Sequence, residues 1–182
     1  TGHKFGAWKT THPADVFSVE KQSRSCSECG KEEEREVGSK LEKTMTVSVS
    51  SFPLKMKQKT KVLKVTGLAD GDSIVSWKSS NTKIVKVSGK SNGTSTVTAG
   101  KKTGKARITI TLKSGLKKVI TVSVQKNTVK TKKISGVSKN LKLKRKQKAT
   151  LHPVIAPLTS AQKITYKSSN TKIATVNSKG QI

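Results

Sequence analysis

The sequence predicts an all-β chain in which an antiparallel β-sandwich occurs twice. One observation is a repeat. The segment Trp77-Lys-Ser-Ser-Asn-Thr-Lys-Ile84 returns 89 positions later as Tyr166-Lys-Ser-Ser-Asn-Thr-Lys-Ile173, with seven consecutive identities and an aromatic before each. Leu54/Leu143, Gln58/Gln147, Val65/Val154, Val75/Ile164, Val87/Val176 and Lys90/Lys179 keep the same offset. A period this long marks a domain-sized unit, beyond the roughly 20–50 residues of solenoid repeats. The second observation is period-two alternation of apolar and polar residues, the mark of half-buried strands. The third is that Gly, Asn and Ser turns punctuate these runs every roughly 8–12 residues, the rhythm of a sandwich. Helical periodicity is absent.

The runs follow in order. Thr46-Val47-Ser48-Val49 opens the first unit, followed by Phe52/Leu54/Met56, Val62 to Val65, and Val75/Trp77. After the repeated segment come Ile84/Val85/Val87 and Val97/Ala99, then two long runs, Ala106/Ile108/Ile110/Leu112 and Ile120/Val122/Val124. Between those two, Lys113-Ser-Gly-Leu116 predicts a hairpin turn, with Gly115 free to take positive φ. The Ser79-Ser80-Asn81 stretch predicts a tight turn, because Ser and Asn side chains bond nearby backbone. That structural role suffices to explain the identity of the KSSNTKI copies. The organisation expected is a Cys-containing, β-rich N-terminal module over residues 1–43 and a full sandwich over 44–125. A Thr/Lys-rich linker over 126–133 and a second sandwich over 134–182 follow. The second is expected to be truncated by about three strands, since it ends before counterparts of Ile108, Ile110, Ile120, Val122 and Val124. The true N-terminus is expected to lie upstream of Thr1.

The aromatics number six, Phe5, Trp8, Phe17, Phe52, Trp77 and Tyr166. Each sandwich must then build its core from Val, Ile and Leu around one aromatic, Trp77 in the first and Tyr166 in the second. β-Branched residues suit a pleated surface. Charge is large and uneven. The net charge is +28, all ten acidic residues lie at or before Asp72, and the 25 Lys or Arg after it face no Asp or Glu. Such a field attracts polyanions. Lys supplies 34 of the 38 cations, however, so the forked guanidiniums and stacking rings of nucleic-acid readers are scarce. No specific nucleic-acid partner is expected, and lysines on strand faces also blunt exposed sheet edges. No stretch approaches the roughly 18 apolar residues of a membrane span.

WKSSNTKIVKV, followed by GKARITI at Gly104 to Ile110, resembles the hallmark of bacterial Ig-like domains of group 2, the invasin and intimin type. The second copy reads YKSSNTKIATV. The resemblance implies tandem Ig-like sandwiches, secreted and attached to a bacterial surface as stalks or adhesive modules, with no family-wide catalytic residue. His3, Phe5, Gly6, Trp8, Arg24, Cys26, Cys29 and Gly30 match a short module, H-x-F-G-x-W followed by R-x-C-x-x-C-G, that precedes such domains in Firmicutes surface proteins. Where relatives of that module place a first Cys, this chain has Val16.

Cys26-Ser-Glu-Cys29-Gly30-Lys31 has the shape of a zinc knuckle, but one CxxC supplies two of the four ligands a structural zinc needs. Cys26, Cys29 and His3 are the zinc candidates, with His12 as an irregularly spaced further donor. A local Cys26–Cys29 disulfide competes in an oxidising compartment, and free thiols are the third state. With Val16 in place of a thiolate, zinc is expected to bind weakly or not at all, so no cofactor is required. Glu32, Glu33, Glu34 and Glu36 are expected to raise the thiol pKa. Asp70 and Asp72, in a Gly-rich stretch, are expected to shape a turn. No nucleophile and base pair suggests itself, and no catalytic residue or enzyme activity is expected.

The expected function is that of a non-enzymatic piece of a secreted, cell-wall-associated, Gram-positive surface protein. Its Ig-like units would space or present neighbouring domains of the parent protein. The alternative is a lysine-rich binding module for anionic wall polymers such as teichoic acids. The third is a host-receptor adhesin, disfavoured by the scarcity of aromatics.

Overall fold

The computed structural model describes residues 2–182, and the described residues contain strands and turns but no helix. The N-terminal module is a meander of β1 (Lys9–His12), β2 (Glu20–Ser25) and β3 (Glu32–Val37), in that order across an antiparallel sheet. The next region carries β4 (Thr46–Val47), β5 (Ser51–Lys55), β6 (Lys59–Thr60), β7 (Val65–Thr66), β8 (Ile74–Ser79), β9 (Val85–Gly89) and β10 (Ser95–Ala99). It ends with the long strands β11 (Gly104–Leu112) and β12 (Lys117–Gln125). One sheet has the order β5-β12-β11-β8, the facing one β6-β10-β9, and β4 pairs with β7 beside them. This is the predicted sandwich.

Its core follows from alternation. Ile108 and Ile110 of β11, Ile120 and Val122 of β12, Leu54 of β5, Val85 of β9 and Val97 of β10 are fully buried in one cluster. Each such side chain contributes about 1.5–3 kcal/mol relative to exposure. β11 and β12 pair from Gly104↔Val124 to Thr111↔Lys117 and form the long central ladder. β5 runs parallel to β12, Ser51 against Thr121 through Lys55 against Gln125. As the sheet edge it tolerates Pro53, which has no N–H to offer a further strand.

The face of β8 differs from the sequence expectation. Val75 is exposed, whereas Ile74 is buried. Trp77 stands opposite Ile110 and Ile74 opposite Leu112, so two β8 residues, Val75 and Ser76, face the single residue Thr111. That is a β-bulge, which turns Ile74 inward and leaves Val75 out. Trp77 is half-buried at the rim of the core, where its indole lies flat on Gly89: a Cβ there would fall 2.2 Å from the ring. Tyr166 is also half-buried, so neither aromatic is the enclosed centre that the composition suggested.

The repeated segment folds alike in both places. The Asn81 carbonyl accepts from the Ile84 and Val85 amides while its side chain accepts from Lys83 N–H. Asn170 does the same with Ile173, Ala174 and Lys172. A second turn recurs too: Lys57 and Lys146 both adopt left-handed backbone, φ 64° and 65°. Each precedes a Gln, Gln58 or Gln147, whose side-chain oxygen accepts from the amide of Lys55 or Lys144. The turns are thus encoded locally. The strands are not: residues 126–182 hold only β13 (Lys133–Ser135) and β14 (Val154–Ala156), paired with each other. Ile173 stands 83% exposed, while its counterpart Ile84 packs on the first core.

The segment 126–133 is not a free linker. Val129 is buried and its carbonyl accepts from Ala161 N–H. Thr159, also buried, donates through Oγ1 to the Pro53 carbonyl at 2.6 Å, and Gln58 Nε2 donates to the Thr159 carbonyl at 2.8 Å. The second region is therefore docked on the free edge of β5.

Ile108→Ala should lower the stability of the sandwich by about 2–5 kcal/mol, because a fully buried branched side chain leaves a cavity. Val75→Ala, on the bulge, should change it by less than about 0.5 kcal/mol, as surface positions do. Urea unfolding followed by Trp77 fluorescence measures both.

Candidate metal centre

The N-terminal module is built around an arginine instead of an aliphatic core. Arg24 on β2 lies with its guanidinium 4.5 Å from the centroids of both Phe5 and Trp8, and Arg35 on β3 covers Trp8 at 4.2 Å. Cation–π contacts of this kind contribute about 0.5–1 kcal/mol at exposed sites. Glu33 accepts from both Nε and a terminal nitrogen of Arg24, at 2.9 and 2.7 Å, and fixes the fork. Phe5, Trp8, Arg24 and Glu33 thereby hold the N-terminal segment against β2.

This register brings the cysteines and His3 together. Phe5 bridges to Cys26, Gly6 N–H donates to the Ser25 carbonyl, and Ser27 N–H donates to the Lys4 carbonyl. Lys4 also pairs with Glu28 across the same seam. The chain then turns back at the CxxCG sequence. Gly30 N–H donates to the Cys26 carbonyl and Cys26 N–H to the Lys31 carbonyl, with Gly30 at φ +70°, a left-handed position that favours glycine. The turn joins β2 to β3 and places both thiols on the side facing His3. His3 Nδ1 lies 3.2 Å from Cys29 Sγ, and the three donor atoms of His3, Cys26 and Cys29 all lie within 4.8 Å of one another.

Cys26 and Cys29 carry free thiols in this structure, Cys26 buried and Cys29 exposed. The expected effect of the glutamates on the thiol fails. Backbone amides of Cys29 and Glu28 donate to the Cys26 sulfur, and smaller contributions come from the Cys29 thiol and the His3 ring. Against burial, these donors lower the Cys26 pKa from 9.0 to about 6. Oriented amides at hydrogen-bond range outweigh acidic side chains held elsewhere, as Glu33 is on Arg24.

Other candidate donors are engaged elsewhere. His12 Nε2 lies 2.9 Å from Ser18 Oγ and 3.7 Å from Asp15, away from the thiols. Val16 is buried, and its amide donates to the Asp70 carbonyl. Asp72 shapes a turn: Oδ1 accepts from Ser73 N–H and Ser114 N–H. Burial pushes its pKa up, but the Ser114 and Ser73 bonds and the Lys43 charge outweigh that and lower it overall. The Arg24 stack had a sequence signal, an Arg two positions before Cys26 with two aromatics three apart, Phe5 and Trp8, but its meaning depends on a pairing that spans the module. Thr159 had no signal.

Residues 43–123 match the model of the bacterial Ig-like domain (group 2). Among solved structures, domains 4 and 5 of the S-layer protein SbsC align at 21% identity and TM-score 0.41, covering 57% of this chain and 64% of that one. A structure of surface layer protein SbsC domains 1–6 aligns at 20% identity and TM-score 0.42, covering 64% of this chain and 18% of that one. No curated protein matches.

The Cys26 thiolate gives a direct test of the turn geometry. Its lowered pKa favours the folded module above the unfolded thiol value, a contribution lost as the pH falls from 9.0 to about 6. Spectrophotometric titration of the reduced, metal-free chain should show one thiolate absorbance step near pH 6. A first step in the ordinary thiol range would show that the amides do not reach the sulfur.

Proposed function

We propose that this chain is a non-enzymatic piece of a bacterial surface protein whose Ig-like unit acts as a stiff spacer that presents neighbouring domains. The observation that carries the proposal is the docked joint. A spacer transmits direction only if successive units do not swivel, and here Val129 is buried in the connector while Thr159 bonds the edge of β5. Asp15 and Val16 tie the N-terminal module to the other end of the sandwich, through the Val16 amide on Asp70 and the Asp15 side chain against Gly71. The match of residues 43–123 to bacterial Ig-like domains agrees with an extracellular, surface-attached setting.

A second role can coexist with spacing. Beyond Asp72 the chain carries cations with no acidic side chain to neutralise them, which supports electrostatic association with anionic wall polymers of the teichoic acid type. Lysines act as point charges, so such binding is expected to lack composition preference.

Residual dipolar couplings from residues 44–125 and from 129–161 should fit one alignment tensor in the full chain. Thr159→Ala should loosen that agreement. Couplings that require two independent tensors in the unaltered chain would refute the stiff spacer.

In parallel salt titrations, teichoic acid and DNA should compete at similar charge concentrations and be released together as salt rises, with a slope on duplex DNA near −0.9 per phosphate contacted. Tight binding to one polymer that persists above about 0.5 M salt, where screening extends over only a few ångströms, would point to a shaped site instead.

A further inference from the structure

We propose that His3, Cys26 and Cys29 form a three-ligand site for one thiophilic divalent cation, zinc, with the fourth position open to water. The absence of a thiolate at Val16 had suggested weak binding from the sequence. The fold brings His3, a candidate donor already named from the sequence, against both thiols as the third ligand.

The geometry fits the ion closely. With Zn–S near 2.3 Å and Zn–N near 2.0–2.1 Å, the edges of a tetrahedral site are about 3.8 Å between sulfurs and about 3.5 Å between sulfur and nitrogen. His3 Nδ1 and Cys29 Sγ are 3.2 Å apart, and no pair among the three donors exceeds 4.8 Å. Movements of about an ångström in side chains therefore suffice, and two of the three residues, His3 and Cys29, are exposed and free to make them. The turn that carries the thiols is itself fixed, with Gly30 N–H on the Cys26 carbonyl and Cys26 N–H on the Lys31 carbonyl. The Lys4–Glu28 pair and the Ser27 N–H bond to the Lys4 carbonyl hold the two segments in register beside the site.

Soft thiolates with one imidazole select zinc over magnesium or calcium, which take oxygen ligands. Exposure of His3 and Cys29 leaves one face of the ion toward solvent. The ion would therefore stitch the N-terminal segment to the β2–β3 turn, a role independent of the spacer proposal.

The test uses the full chain, reduced and stripped of metal, titrated with Co²⁺ and then with Zn²⁺. One equivalent of Co²⁺ should produce tetrahedral visible bands and a thiolate charge-transfer band of two-sulfur intensity, and Zn²⁺ should displace it. His3→Ala should weaken zinc affinity at least roughly tenfold, the loss that even an outer-shell partner brings. Cys26→Ser and Cys29→Ser should each reduce the charge-transfer band to one-sulfur intensity or less, and the double variant should abolish it. The far-ultraviolet spectrum and the amide shifts of residues 44–125 should stay unchanged in all of these variants, separating ligand loss from misfolding. The proposal is overturned if no stoichiometric complex forms or if His3→Ala binds zinc as the unaltered chain does. It is equally overturned if a Cys26–Cys29 disulfide forms in preference to the complex when zinc and air are both present.

Discussion

The ladder between β11 and β12 is the interaction on which the sandwich depends. Its inward side carries Ala106, Ile108, Ile110, Leu112, Ile120, Val122 and Val124, nearly half of the buried cluster. Its two outer edges each accept one more strand, β8 on β11 and the parallel β5 on β12. The opposite sheet has no long ladder of its own. β6, β10 and β9 are short and gain their stability by covering the apolar face that the hairpin presents, as a sheet must when only one of its faces can be wet. Trp77 and Gly89 close the rim between the layers.

That dependence explains how two nearly identical sequence segments reach different tertiary settings. The Asn81 and Asn170 turns need only their own residues, and both form. Ile84 approaches Gly104 at the start of β11, where a glycine Cβ would sit 3.0 Å from Ile84 Cδ1. Ile173 meets no such strand and stays exposed. Local hydrogen bonds cost little chain entropy and form early in sequence distance, whereas strand pairing has to repay loop closure through buried area. The region after Val129 gains its order instead from Thr159 and the edge of β5, a contact that also covers backbone groups an edge strand would otherwise expose.

In the N-terminal module a different force does the work of a core. With three short strands and little aliphatic content, the segment relies on Arg24 held between two aromatic rings and neutralised by Glu33. The acidic run that follows the cysteines is thereby explained as strand chemistry: Glu32 to Glu36 pair across β2, with Glu33 on Arg24 and Glu36 near Lys21. These residues do not set the potential at the thiols, which is governed by the amides of the turn.

The sequence by itself determined the all-β class, the strand runs of the first unit, the two copies of the turn and the uneven charge. All of these rest on short-range physics: alternation needs only the two-residue period of a strand, and Asx and Ser turns need only neighbouring backbone. The tertiary structure decided what depends on registers across long separations. A one-residue bulge opposite Thr111 moved Val75 out and Ile74 in, which no alternation pattern can show. Packing onto β5 turned a polar-looking connector into a joint, because Val129 and Thr159 acquire meaning only when Pro53 lies beside them. The pairing of Phe5 with Cys26 placed His3 at the thiols, joining residues 26 positions apart whose chemistry becomes common only once the strands are laid side by side.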